Sequence, residues 1–461
     1  MASTNPPPGA RWAAGLLAAG LLALLACAAP TPPKARPNVL VLLVDTLRAD
    51  ALGAYGAARD TSPHFDALAR QSFLFEQARS QASCTFPSVN SILTGVMPTA
   101  FFDRPDKTFL GIPEGLTSLP ERLRAAGYAT AAISASPIVR KTPSDENPHG
   151  GFDRGFDRFD ESCLWRAARC VNDVARSTLE TLPQPFFLYL HYMDPHDPYR
   201  PPGDWQRRFA SATFPASEAV AAGDPSELVR AVYEEHDPGS VDPAAVAHLR
   251  DLYDDEVAYF DARLGELVDT LRSRGLLENT IVVLLADHGE AFLEHGHVKH
   301  CYSLYDNQIH TPLLIRLPQV LDPPPPRRIT HSVANLDLVP TLLDYLGLPA
   351  ADPGLEGRSL RPAIEEDRPV HDAVLSAWAG ARAATGERYK LILTLRSGKI
   401  ELFDLAEDPG ERSDRSAEER RPTHRLGRLL SRWMERAEPE RANAAGDENA
   451  LQTLRGLGYL E

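Results

Sequence analysis

The sequence predicts an α/β fold, with a mostly parallel central sheet flanked by helices and a small C-terminal subdomain of antiparallel strands plus one helix. Three observations carry this. Continuous apolar runs of strand length recur along the chain, as strands buried on both faces require. Amphipathic segments of helical period separate them, as crossover connections do. After about residue 350 the runs shorten and are divided by glycine or polar turns, the pattern of a small antiparallel sheet.

The elements follow in order. Asn38–Val44 (NVLVLLV) is the first buried-strand run and ends at Asp45. Residues 116–126 have apolar residues on one face and arginines on the other, and residues 129–134 form a shorter strand candidate. FFLYL at 186–190 ends at His191. Residues 244–275 form a long helix with Leu249, Leu252, Val257, Phe260, Leu264, Leu267 and Leu271 on one stripe. TIVVLLA at 280–286 ends at Asp287 and His288, and residues 312–316 give one more short run. Beyond these, residues 373–378, 389–395 and 400–403 read as strands and 424–437 as a helix. The charged stretch 407–421 reads as a solvated loop, and the proline-rich insert 201–242 as a pocket rim.

Composition narrows the function. The chain has 461 residues, a length that suggests two to three domains, and a net charge of −15. A nucleic-acid partner is disfavoured, since it needs a basic footprint. Forty prolines exclude a simple helical bundle, and five cysteines are too few for a disulfide scaffold. Residues 12–26 form a charge-free apolar run after Arg11, too short to span a membrane and suited to a signal peptide. It ends in Leu24-Leu25-Ala26-Cys27, which resembles a bacterial lipobox. That implies cleavage before Cys27, lipidation of its sulfur, and a periplasmic or outer-membrane lipoprotein whose membrane contact is through that anchor. The expected organisation is a signal segment at 1–27 and a linker at 28–37. A catalytic domain at 38–350, a C-terminal subdomain at 351–440 and a docking tail at 441–461 complete it.

Three strand ends then point to chemistry. Ligand sites in open α/β sheets lie outside the carboxyl ends of the strands. A single strand-end Asp is as readily a cap or turn former. Asp45, His191 and the Asp287-His288 pair together suit a divalent cation with an open position. A fourth segment, SQASCTFPSVNSILTG at 80–95, runs a hydroxyl-rich loop into an apolar helix. Its groups face the positive helix end, which favours a nucleophile or an oxyanion, although an ordinary Ser/Thr cap reads the same way.

These pieces, in this order, resemble the sulfatase family of the alkaline-phosphatase-like superfamily. The matching segments are RPNVLVLLVDTLRADALGAYG (36–56), TSPHFDALARQSFLFEQA (61–78), TFPSVNSILTG (85–95) and FFLYLHYMDPHDPY (186–199). TIVVLLADHGEAFLEHG (280–296), SLYDNQIHTPLLI (303–315), YKLIL and ELFDLAEDPGE (both within 389–411) complete them. The resemblance implies one divalent metal, Ca²⁺ by family, held by Asp45, Asp287 and His288. The imidazole of His288 makes Mn²⁺ or Zn²⁺ plausible as well. It implies that His196 serves the leaving group, with His191 as an alternative contact to substrate. It places His300, or the adjacent Lys299, against the transferred group.

The chain departs from the family at the nucleophile. Family members carry Cys-x-Pro-x-Arg, whose Cys becomes formylglycine. Here Thr85 falls on that position, Cys84 is one residue early, and Val89 stands at the Arg position. Conversion of Cys84 is not expected, and its simple reading is a small residue packed beside the site. Cys301 reads as filling a glycine position. Cys163 and Cys170 can pair only if they do not sit two straight helical turns apart, roughly 10 Å. The expected substrate is a small-molecule, glycan or lipid ester. The expected activity is sulfate-ester hydrolysis, with a phosphodiesterase, phosphonate hydrolase or headgroup transferase as the alternative. A non-catalytic glycan-binding lipoprotein is a third reading, disfavoured because the whole metal ligand set is present.

Overall fold

Seven-residue strands with no polar face are stable only when covered on both sides, and this chain covers them with two separate cores. The computed structural model describes residues 1–2, 36–101, 111–165, 167–205, 208–209, 217–349, 352, 354–378 and 380–437. Residues 3–27 of the signal segment, Cys27 included, most of the linker, and the tail at 441–461 lie outside the described residues. From Pro37 onward the chain is one unit. No helix among the described residues is long and apolar enough to cross a membrane.

The main sheet has eight strands: β1 (Asn38–Val44), β2 (Phe73–Arg79), β3 (Ala129–Ser134), β4 (Arg158–Asp160), β5 (Phe186–Tyr192), β6 (Thr280–Ala286), then β9 (Leu313–Arg316) and β10 (Arg328–Ala334). Between β6 and β9 in the chain lies a separate two-stranded ribbon, β7 (Ala291–Phe292) and β8 (Val298–Lys299). The spatial order is β10-β2-β9-β6-β1-β5-β3-β4. All pairings in this sheet are parallel except those of β9, which is antiparallel to β2 and β6. Strands β2, β4 and β10 are additions to the sequence-based reading.

Alternation along β1 divides the two cores. Leu40, Leu42 and Val44 pack with Leu249, Val257, Phe260 and Leu264 of the long helix Pro243–Ser273. Val39, Val41 and Leu43 pack on the other face with Val89 and Ile92 of α1 (Thr85–Thr94), and with Leu338 and Leu342 of α2 (Leu338–Tyr345). Helix α1 stops at Gly95, whose φ of 72° places its N–H on Ser91 O, a left-handed ending that glycine adopts without strain.

The second sheet is β11 (Val374–Trp378), β12 (Ala381–Thr385), β13 (Tyr389–Thr394) and β14 (Lys399–Asp404), antiparallel throughout and in sequential order. One face packs on α3 (Arg420–Ala437) through Leu426, Leu430, Trp433 and Met434. The other meets Leu304 and Ile309 of the main body. The loop read as solvated is not wholly so: Glu411 is buried and pairs with Lys390 Nζ at 2.8 Å. The insert is not only a rim, because Val220, Leu228 and Val232 are buried in the core that covers the long helix.

Candidate active site

Strand register alone gathers the first ligands. β6, β1 and β5 are neighbours, with Val44 opposite both Ala286 and Tyr192. Asp45 and Asp287, each the next residue after its strand, therefore emerge side by side. The chain turns sharply after Asp45, with Thr46 at φ 55°. The turn is held by Thr46 N–H donating to Asp287 Oδ1 at 3.3 Å and by Tyr253 O–H donating to Thr46 O at 2.9 Å.

Asp45, Asp287 and His288 are fully buried, and their ligand atoms lie within 4.8 Å of one another. His288 Nδ1–H donates to Gly289 O at 2.9 Å, which fixes the tautomer and leaves the Nε2 lone pair facing the cluster. That nitrogen is 3.3 Å from Asp287 Oδ2 and 3.8 Å from Asp45 Oδ1. Both oxygens are buried without a hydrogen-bond partner. Burial, then the charge of Asp45, pushes Asp287 well above the ordinary carboxylate range. Burial of Asp45 is outweighed by the hydrogen bond from His191 and by nearby histidine charges, which hold it low. Two unpaired buried carboxylate oxygens beside an oriented imidazole lone pair fit a divalent cation, which would supply the missing countercharge.

Thr85 opens α1 at the positive end of the helix, is 5% exposed, and donates its hydroxyl to His288 Nε2 at 3.1 Å. The neighbouring Cys84 does not point to this cluster as a free thiol. It is disulfide-bonded to Cys301, which overturns the reading of Cys84 as a lone packed residue. Cys301 does take a glycine-like backbone, with φ 73°. Cys163 also pairs with Cys170, because the helix begins only at Ala168 and Cys163 lies in the turn before it.

A second group adjoins the first. The His300 ring lies 4.6 Å from that of His288 and 5.0 Å from that of His196. His300 Nδ1–H donates to Glu290 Oε1 at 3.1 Å, and Tyr199 O–H donates to Glu290 Oε2 at 3.1 Å. Burial would lower His300, but the charge and hydrogen bond of Glu290 outweigh it and push it up to about 9. His196 Nδ1–H donates to Asp197 O, so its Nε2 is the nitrogen left for other partners. Lys299 Nζ pairs with Asp197 Oδ2 at 3.1 Å.

Sequence reasoning thus named residues that do adjoin: Asp45, Thr85, Asp287, His288, His300, His196 and Lys299. His191 is placed differently. It is fully buried behind Asp45, its Nε2–H donating to Asp45 Oδ2 at 3.1 Å and its Nδ1 accepting from Tyr189 O–H at 3.0 Å. Both nitrogens are engaged, so its geometry is that of a support for Asp45 and not of a substrate contact. Glu290 and Asp197, the partners that orient the two outer cations, were not singled out from the sequence. The available signal was a carboxylate on the same short loop as each histidine.

The sequence model described as Sulfatase matches residues 37–348, and that of the N-sulphoglucosamine sulphohydrolase C-terminal region matches 293–431. Iduronate 2-sulfatase of Homo sapiens is 27% identical over 374 residues; the match covers 68% of this chain and 66%, just under two thirds, of that protein. Delta 4,5-hexuronate-2-O-sulfatase of Bacteroides thetaiotaomicron is 25% identical over 85% of this chain and 87% of its own length. Among solved structures, the phosphonate monoester hydrolase of Agrobacterium radiobacter superposes with a TM-score of 0.71 at 20% identity, over 87% of this chain and 96% of that one.

Proposed function

The chain belongs to the sulfatase family, and on that premise we propose that it is a metal-dependent hydrolase of sulfate esters with Thr85 as its nucleophile. The observation that carries this is the Thr85 hydroxyl at 3.1 Å from His288 Nε2, inside the same buried pocket as two carboxylate oxygens without partners.

Asp45, Asp287 and His288 would hold the divalent cation. When bound, such an ion lowers the pKa of an adjacent hydroxyl and offsets charge on the transferred group. Thr85 Oγ1, its proton released to solvent, attacks sulfur, forming the O–S bond as the bond to the leaving oxygen breaks. His196 donates a proton to that oxygen. His300, protonated because of Glu290, and Lys299 stabilise charge on the sulfuryl oxygens. The resulting threonine sulfate has no second hydroxyl from which to eliminate, so water must attack it directly or an acceptor alcohol must take the group. Trp165, 48% exposed, lies against the ring of His196. An exposed aromatic side chain beside a reacting group suits a sugar ring as the body of the substrate.

Two features favour a phosphorus ester as the second reading. A threonine nucleophile beside an Asp-His ligand pair lacks the formylglycine chemistry that resolves a sulfated intermediate, and imidazole suits Mn²⁺ or Zn²⁺ better than Ca²⁺. The test is kcat/KM on an aryl sulfate, an aryl phosphate, a phosphodiester and a phosphonate monoester, after reloading with each metal, with Thr85→Ala as control. Best turnover on the sulfate supports the first reading. Preference for a phosphorus ester supports the second, and full activity of Thr85→Ala removes the nucleophile assignment. Export and lipidation at Cys27 complete the proposal. Two disulfides suit an oxidising compartment, and the mass of the mature N-terminal peptide tests the anchor.

A further inference from the structure

We infer that the Cys84–Cys301 disulfide is a positioning element of the active site, fixing the Thr85 hydroxyl relative to Lys299 and His300. The inference rests on the roles given above to Thr85 and His300. The connectivity is its first support. Cys84 immediately precedes Thr85, Cys301 immediately follows His300, and the bond joins them across 217 residues of sequence. It therefore ties the nucleophile's helix start directly to the loop that carries the cations.

That loop needs an external restraint. Leu293, His295, Lys299 and Cys301 all have φ between 55° and 73°, a left-handed backbone that side-chain-bearing residues disfavour. Among the described residues its strand pairing amounts to two positions, Ala291 with Lys299 and Phe292 with Val298. Such a segment relaxes unless its surroundings hold it. Side-chain contacts to Asp197, Glu290 and Tyr233 hold Lys299, His300 and Val298, and two hydrogen bonds act at the disulfide itself: Cys301 N–H donates to Ser83 O at 2.7 Å, and Trp378 Nε1–H donates to Cys301 O at 2.6 Å. The covalent bond thus completes a clamp whose two jaws are residues 83–85 and 299–301. Misplacing a reacting group by about 1 Å is enough to cost about a hundredfold in rate.

The experiment compares the full chain with Cys84→Ser, Cys301→Ser and the double variant. Serine at position 84 keeps a side chain able to cap the helix. Breaking the bond from either end should lower kcat by 10- to 100-fold to the same extent in all three proteins, because one bond is lost each time. Mn²⁺ affinity at Asp45, Asp287 and His288 should stay within threefold of the parent. Hydrogen exchange of the peptide spanning 293–305 should accelerate at least tenfold, with the main sheet unchanged.

A lowered melting temperature with unchanged kcat would overturn the inference and leave the bond a plain staple. Additive effects of the single variants would overturn it too, by assigning them to local packing. If the parent protein turns over none of the ester probes, the proposed function fails on its own, and the exchange rate of 293–305 still decides the clamp. If the variants do not fold, native treatment of the parent with a dithiol provides the comparison. The bond takes two electrons and two protons while the dithiol closes to its own disulfide. Peptide mapping identifies which pair opened, and kcat unchanged with Cys84–Cys301 open would sink the idea.

Discussion

His288 and His300 stand ring against ring, yet their surroundings drive them to opposite protonation states. Burial, then the charge of His300, lowers His288 to about 3, so its Nε2 keeps the lone pair a ligand needs. His300 is held charged chiefly by Glu290, to which its Nδ1–H donates. The raised value means that His300 loses its proton as pH climbs through about 9, and with it the charge proposed above to face the substrate. Glu290→Gln removes that support. The alkaline limb of kcat should then move down toward the ordinary histidine range of about 6.5, read from a pH–rate profile; an unmoved limb would detach His300 from the reaction. Thr85→Ala should cut kcat by at least about a thousandfold while leaving Mn²⁺ binding intact. These two residues also mark what was legible. Thr85, Asp45, Asp287 and His288 could be read because each sits at an element end with chemistry suited to a ligand or nucleophile. Glu290 could not be given a role, because DHGE does not say which way its last side chain turns.

At the scale of elements, β1, β5 and β6 were legible because each is a seven-residue run buried at every position. β2 (FLFEQAR) and β10 (RITHSVA) were not, because each mixes polar side chains into its run and draws its stability from the neighbours beside it. β12 (ARAAT) has one β-branched residue, Thr385, and no apolar run, and its place between β11 and β13 makes it a strand. The opposite direction of β9 had no sequence signal at all. The Cys84–Cys301 pairing was likewise hidden by separation, since only the fold brings position 301 beside 84. The loop after β6 has its own requirement. A Cβ on Gly289 would lie 2.3 Å from Asn307 O, and backbone cannot give way as a side-chain tip does. Gly289→Ala should therefore shift the chain that carries His288. The expected result is a loss of roughly 1–3 kcal/mol together with at least tenfold weaker Mn²⁺ binding, by thermal melting and calorimetric titration. A stability loss with unchanged metal affinity would mean that Asn307 yields instead.

At the scale of the whole molecule, stability follows the charges the fold has buried. Asp45 and Asp287 are packed together with one unpaired oxygen each, so the metal-loaded protein should melt higher than the chelated one. The gain is about 2.7 kcal/mol at a hundredfold excess over Kd, retained by Thr85→Ala and lost in Asp287→Asn. A second set of groups sets the pH response. Asp50, exposed beside Arg48, and Asp306, largely enclosed beside Arg79, are both held low by those guanidinium groups. Their stabilisation is present above the ordinary carboxylate range and fades as pH falls below it. Asp194 behaves in the opposite sense. Burial pushes it up to about 7 against the opposing hydrogen bonds from the backbone N–H groups of Ala168 and of Asp194 itself. Between pH 4 and 7 the folded protein keeps a proton there that the unfolded chain has released, so raising the pH removes stability. Asp261, pushed up to about 6 by burial, adds to the same decline. Together these groups put the stability maximum at about pH 4, in the ordinary carboxylate range. Asp194→Asn keeps an oxygen for the Ala168 N–H and cannot ionise. It should gain up to about 4 kcal/mol over the parent at pH 8 and nothing at pH 4, measured by denaturant unfolding at both values. A gain of equal size at both pH values would show that the benefit is packing and that Asp194 carries no buried charge.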